Sequence, residues 1–114
     1  MKRGDVVTVA LSGDYGKPRP AVIVQSDVLP SSYASVVVCQ MTSEIERVST
    51  FRVLIDPSSE NGLRLPSQVM ADKPVSILRD RLGRVIGCLS PTDMGRVDVA
   101  LAFVLGLAIN SARH

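Results

Sequence analysis

The first three quarters of the chain alternate short apolar runs with turn clusters, the pattern of strands. Asp5–Leu11 is β-branched and alternates imperfectly, and Ala21–Gln25 is a short apolar run behind two prolines. Ser35–Met41 is continuous enough for a central strand, Phe51–Ile55 interleaves apolar residues with Arg52, and Gln68–Asp72 and Arg84–Leu89 supply two more. The breaks are Ser12-Gly13-Asp14, Leu29-Pro30-Ser31-Ser32 and the run Asp56-Pro57-Ser58-Ser59-Glu60-Asn61-Gly62. Short strands at such spacing predict a mainly β fold, a small barrel or curled antiparallel sheet. Ser76–Gly83 is read as one helical turn ending at Gly83. The clear helix comes last. Ser90 is a good N-cap, Pro91 suits the first helical position and Asp93 completes the box. Met94, Val97, Leu101, Val104 and Leu105 follow at helical spacing, and Gly106 is a natural stop. Core packing is the first reading of that stripe. Ala100, Phe103 and Leu107 widen it enough for a dimer surface as well.

A chain of 114 residues is expected to form a single domain, residues 1–114. At this size roughly 65% of the unfolded surface is buried, so no disulfide or metal staple is required. Cys39 and Cys88 lie far apart in apolar runs and read as small buried hydrophobes, a usage that suits the cytosol. The chain opens Met1-Lys2-Arg3-Gly4-Asp5 with no apolar leader, and no apolar run is long enough to span a bilayer. The single histidine is His114, which excludes a mechanism built on two core histidines and argues against His-rich metal sites. Net charge is only +2, but ten of the cations are arginine and three lysine, a balance that favours bidentate contact with phosphate.

The sharpest local feature is Tyr15–Asp27. Pro18 and Pro20 flank Arg19, so Lys17 and Arg19 both precede a proline and are biased toward extended backbone. An arginine stiffened in this way suits an oxyanion held at a fixed place. The same residues also describe a proline-stiffened hairpin with two solvated charges, and residue physics leaves both readings open.

The order of motifs decides more. Arg3-Gly4-Asp5-Val6-Val7 opens the chain, and the run from Lys17 through Pro18-Arg19-Pro20 to Asp27 follows. Next come Val36–Ser43 with its Met41-Thr42-Ser43 ending, Asn61–Lys73, Arg81–Leu89 and Val97–Leu107. In this order they resemble the MazF/PemK family of toxin endoribonucleases of bacterial type II toxin–antitoxin systems, over nearly the whole chain. The resemblance implies an SH3-like curled antiparallel sheet with a C-terminal helix. It implies a homodimer with an RNA groove across the interface, and an antitoxin whose acidic, largely disordered tail covers that groove. It implies cleavage of single-stranded RNA without metal or other cofactor, by attack of the 2′-OH, leaving a 2′,3′-cyclic phosphate and a 5′-OH.

On that resemblance Arg19 matches the catalytic arginine and Thr42 the catalytic Thr/Ser at a strand end, whose ordinary alternative is a strand-ending ST-turn. Asp72 falls where some members carry a general base. Its ordinary alternative is a carboxylate paired with Lys73 or an arginine. Lys17, Ser43, Lys73, Ser76, Arg79 and Arg81 are candidate phosphate or base contacts, each also an ordinary solvated residue. Tyr15 is the best candidate for stacking on a base in a chain with only two Tyr, two Phe and no Trp. The sequence departs from part of the family at Asp72-Lys73-Pro74-Val75-Ser76. Val75 stands in place of a basic residue, for which Lys73 or Arg81 would have to compensate. Two further readings are a gyrase-binding toxin of the related CcdB family, disfavoured by the missing Trp, and a non-catalytic nucleic-acid-binding barrel.

Overall fold

The computed structural model describes residues 1–10, 17–45 and 51–107. Tyr15, the turn at Ser12–Asp14 and the end of the first expected strand at Leu11 lie outside the described residues. The strands are β1 (Asp5–Val9), β2 (Arg19–Ile23), β3 (Ser35–Thr42), β4 (Arg52–Ile55), β5 (Ser67–Leu78) and β6 (Leu82–Cys88), followed by helix α1 (Pro91–Leu105). They form one antiparallel sheet in the order β4-β5-β3-β2-β1-β6.

The imperfect alternation of the strands has a physical cause, because the sheet is covered on both faces. Adjacent residues Val6 and Val7 on β1 are both fully buried, yet they enter different cores. Val6, Val22, Cys39, Met41 and Val69 pack beneath Val97, Ala100 and Leu101 of the helix. Val7, Val9, Ala21, Ile23, Val38 and Ile77 form a second buried cluster.

The curl comes largely from β5. Cys39 of β3 pairs with Pro74 and Met41 pairs with Val69, so the four residues Met70–Lys73 stand opposite Gln40 alone. This large bulge bends β5 sharply. Pro74 sits at its exit, one of the few strand positions where a missing N–H is tolerated. The expected helical turn at Ser76–Gly83 is therefore corrected. Ser76 and Leu78 still pair with Val37 and Ser35 of β3, and only Arg79–Arg81 form a single 3-10 turn. Cys39 is buried as expected, but Cys88 is exposed, because β6 is an edge strand paired only with β1.

The two ends of the sheet meet through the β4–β5 connection. Asn61, only 3% exposed, organises that loop. Its Oδ1 accepts from the Ser58 and Leu63 N–H groups at 3.0 Å each, and its Nδ2 donates to the Asp56 carbonyl at 2.9 Å. The loop then docks on the far edge strand, with the Cys88 N–H donating to the Glu60 carbonyl at 2.9 Å. The contact is backbone on backbone. A Cβ at Gly87 would overlap the Glu60 and Asn61 main chain, and one at Gly62 (φ +71°) would overlap the Ile86 carbonyl.

Helix α1 starts and stops as its residues require. The Ser90 hydroxyl accepts from the Asp93 N–H at 3.0 Å, Pro91 occupies the first turn and Gly106 closes the helix in the left-handed region. Arg3 ties the helix to the sheet, its Nη2 meeting Asp98 at 2.6 Å and its Nε donating to the Val24 carbonyl at 2.8 Å. Val97, Ala100, Leu101 and Ala102 are buried, whereas Val99, Phe103, Leu105 and Leu107 are exposed. The core reading of the stripe thus holds for Val97 and Leu101 but not for Leu105. Among the described residues no helix is long and apolar enough to cross a membrane.

Two glycines test this architecture with opposite signs. Gly87→Ala should destabilise by about 2 kcal/mol, lowering the thermal midpoint by roughly 10 °C, because main chain must move to admit the methyl group. Gly95→Ala, mid-helix with open space at its Cβ position, should stabilise by about 0.5–1 kcal/mol. Thermal unfolding followed by circular dichroism measures both.

Candidate RNA-binding groove and catalytic recess

The sheet closure leaves a groove of about 800 Å³ between the start of β2, the end of β3, the β4–β5 loop and β6. Arg19 lines it from the first position of β2, with Pro18 and Pro20 on either side. Its backbone is extended, as the flanking prolines require. Pro20 is accommodated because pairing with β3 begins only at Ala21. Ser43 lines the same groove, as do Thr8, Ser67, Arg64 and Arg84. Arg64 and Arg84 were not singled out by the sequence reading. Both lie within quoted motifs, but neither has a proline frame or a cluster of charge to mark it.

Thr42 opens instead into a neighbouring recess of about 400 Å³, which it shares with Glu44, Ile45, Arg52, Met70 and Lys73. Its Oγ1 accepts from the Glu44 N–H at 3.1 Å, the ST-turn that is the ordinary alternative at this position. A threonine hydroxyl that accepts in this way still has its own proton to donate. The β2–β3 ladder ends at Ala21↔Gln40, two residues short of both Arg19 and Thr42, and Thr42 of the recess is followed directly by Ser43 of the groove. The groove and the recess therefore adjoin at the ends of two paired strands.

Asp72 lies in the β5 bulge, where Arg52 holds it with two hydrogen bonds: Nε to Oδ1 at 2.9 Å and Nη2 to Oδ2 at 3.3 Å. Both side chains are largely covered, at 11% and 23% exposure. Partial burial alone would push the Asp72 carboxyl up. The Arg52 hydrogen bonds and charge, with a main-chain hydrogen bond and the charge of Lys73, outweigh it and hold the pKa below the ordinary carboxylate value. A carboxylate so stabilised is a weak proton acceptor at neutral pH. Beneath it, burial and then the Asp72 charge push the Cys39 thiol up to about 11, which leaves it an inert core residue.

The remaining candidates divide. Lys73 lines the Thr42 recess, and exposed Lys17 precedes Pro18 at the groove. Ser76 is paired through its hydroxyl to Ser35 at 3.2 Å, and Arg79 Nε donates to the Tyr33 carbonyl at 2.6 Å. These two belong to the Ser35 end of β3, seven residues or roughly 23 Å along the strand from Thr42. Arg81 is exposed at the end of the 3-10 turn and lines neither site.

A curled sheet with a cationic groove beside a hydroxyl-bearing recess defines a small β protein equipped for a polyanionic ligand. The family model described as PemK-like, MazF-like toxin of type II toxin–antitoxin system matches residues 2–105. The probable endoribonuclease MazF of Mycolicibacterium smegmatis is 40% identical over 109 residues, covering 95% of this chain and 99% of that protein. Endoribonuclease MazF9 of Mycobacterium tuberculosis is 31% identical over 116 residues, covering 94% and 98%. A mycobacterial endoribonuclease solved in complex with its cognate antitoxin superposes with a TM-score of 0.81 at 28% identity, covering 96% of this chain and 99% of that one. The chain belongs to the PemK/MazF-like family of endoribonuclease toxins.

The Arg52–Asp72 pair makes a pH-dependent prediction. Asp72→Asn should cost about 1–3 kcal/mol at neutral pH, the value of hydrogen bonds to charged groups. Because the folded pKa is depressed, the contribution of Asp72 is complete above its unfolded value of about 4 and is lost as pH falls through the folded value. Denaturant unfolding across pH should therefore show the wild-type advantage constant from pH ~7 to ~5 and shrinking in more acidic buffer.

Proposed function

We propose that this chain is the toxin of a type II toxin–antitoxin pair, cleaving single-stranded cellular RNA at short sequence motifs without a metal ion. The observation that carries this reading is the placement of Arg19 in a groove whose described lining holds three arginines and no carboxylate, with Thr42 in the adjoining recess. In the proposed reaction the 2′-oxygen of the substrate bonds to phosphorus as the P–O5′ bond breaks. The 2′-OH loses a proton and the 5′-oxygen gains one, leaving a 2′,3′-cyclic phosphate and a 5′-OH. The need for a 2′-OH makes RNA the substrate rather than DNA.

Arg19 stabilises the charge that builds on the phosphoryl oxygens and assists the departing 5′-oxygen, a role that suits a group always protonated near neutrality. Thr42, one of its lone pairs occupied by the Glu44 N–H, donates its hydroxyl proton to a phosphate oxygen. Lys73 supplies a cation in the Thr42 recess, compensating for Val75. Asp72 acts as the anchor of Arg52 rather than as the proton acceptor, consistent with its ion pair and lowered pKa. Lys17 and Ser43 contact the RNA near Arg19, Tyr15 is kept from the sequence as the base-stacking candidate, and Ser76, Arg79 and Arg81 serve the ends of a longer substrate.

The exposed Phe103 and Leu105 on α1, with Leu107 just past its cap, fit a homodimer, and the cationic groove fits an acidic antitoxin segment. Cytoplasmic residence accords with unpaired cysteines at positions 39 and 88.

Purified protein incubated with a long RNA in EDTA should release fragments with 5′-OH ends and leave the matching DNA intact. Arg19→Ala should lower the rate about 10³-fold with the fold unchanged, as for loss of one preorganised donor to a developing oxyanion. Arg19→Lys should recover little, since one ammonium cannot reproduce a two-pronged contact. Equal cleavage of DNA, or full activity in Arg19→Ala, would remove the basis for this reading.

A further inference from the structure

Three arginines line the large groove, Arg19, Arg64 and Arg84, together with the hydroxyls of Thr8, Ser43 and Ser67. No carboxylate stands among its described lining residues. The whole chain carries a net charge of only +2, so this surface gathers more positive charge than the molecule has in sum. Of the five described arginines outside the groove, four are engaged, and Arg81 is exposed away from it. Arg3 is paired with Asp98, Arg52 with Asp72 and Arg96 with Asp93, and Arg79 donates to a main-chain carbonyl. Arg64 and Arg84 are exposed and have no side-chain partner among the described residues.

Their backbones are nevertheless held. The Arg84 N–H donates to Thr8 Oγ1 at 3.2 Å, where β6 comes so close to β1 that a Cβ at Gly83 would overlap that hydroxyl. Arg64 follows the turn fixed by Asn61, one residue after Leu63, whose N–H is bound by the Asn61 side chain and whose own side chain lies in the core. Two unpartnered guanidinium groups thus stand on anchored main chain, on different walls of one groove. Such an arrangement loses little freedom on meeting an external oxyanion. The groove volume, near the upper end of the ~300–1,000 Å³ range of small-molecule sites, has room for more than one nucleotide.

We propose that Arg64 and Arg84 form a second phosphate subsite, which grips an internucleotide phosphate neighbouring the scissile one. The substrate is then held at two points along its backbone: at Arg19, where the bond breaks, and at the Arg64–Arg84 pair, which sets the register of the strand. These two are positioning residues, and their role rests on reading the groove as the RNA site.

The test uses the full chain and a mixed-sequence RNA strand with every 2′-OH methylated, which cannot be cleaved by 2′-OH attack. Binding is followed by fluorescence anisotropy across a salt series. The doubly substituted Arg64→Ala, Arg84→Ala protein should bind at least tenfold more weakly in low salt. The slope of log affinity against log salt should be shallower by about 0.7, one neutralised phosphate on a single strand. Arg64→Lys with Arg84→Lys should retain most of the slope, since lysine still neutralises a phosphate. On cleavable RNA the double alanine protein should lose far more in KM than in kcat. Replacing single phosphates by neutral methylphosphonates should reveal one neighbouring position to which the wild type is sensitive and the double variant is not. An unchanged salt slope in the folded double variant overturns the subsite, and it would assign these arginines to base edges or to solvent. Failure of the underlying reading looks different: Arg19→Ala would cleave RNA as well as the wild type, whatever the salt slope.

Discussion

The structure depends on one contact, the main-chain closure of the β4–β5 loop on β6. An open sheet of six twisted strands has two unpaired edges and no interior on its concave side. Here the loop after one edge strand reaches the opposite edge, and the Cys88–Glu60 hydrogen bond seals it. Gly62 and Gly87 are the residues that allow it, because no side chain fits between the two backbones. Everything functional stands on this seam. The groove is the space it leaves, with β6 as one wall and the loop as another.

The large bulge in β5 plays a complementary part. It bends the strand so that Ile77, beyond the bulge, joins the buried cluster of Val7, Val9, Ile23 and Val38. It also turns Asp72 and Lys73 out of the regular ladder. Asp72 then meets Arg52 from the neighbouring strand, and Lys73 enters the recess of Thr42. A single irregularity thus sets both the curvature and the surroundings of the candidate recess, as bulges near functional sites do.

Much of this was legible from the residues. The six strands, the capped helix and the prominence of Arg19 follow from local signals: β-branched runs, turn clusters, Ser90-Pro91 and Gly106, and two flanking prolines. Where the reading missed, the deciding interaction was long-range. Ser76–Leu78 have an ambiguous local pattern, and only pairing with β3 makes them strand. Cys88 sits in an apolar run, but its exposure follows from β6 being an edge. Arg64 and Arg84 are ordinary surface arginines in the linear chain. They become neighbours of Arg19 only because the closure brings residues about 45 and 65 positions away to its groove.

The chain's order of motifs pointed to the family, to the class of fold and to Arg19 as the candidate site residue. Those properties are encoded in short windows, where backbone preference and apolar periodicity act directly on neighbouring residues. Tertiary structure decided the partner of Asp72, the separation of Thr42 from the large groove, the displacement of Ser76 and Arg79 from the site, and the company Arg19 keeps. Such facts depend on which strand lies beside which and where a bulge shifts the register. One extra residue in a strand reverses the face of every side chain beyond it, so the chemistry of a site is settled by register, which no short window contains.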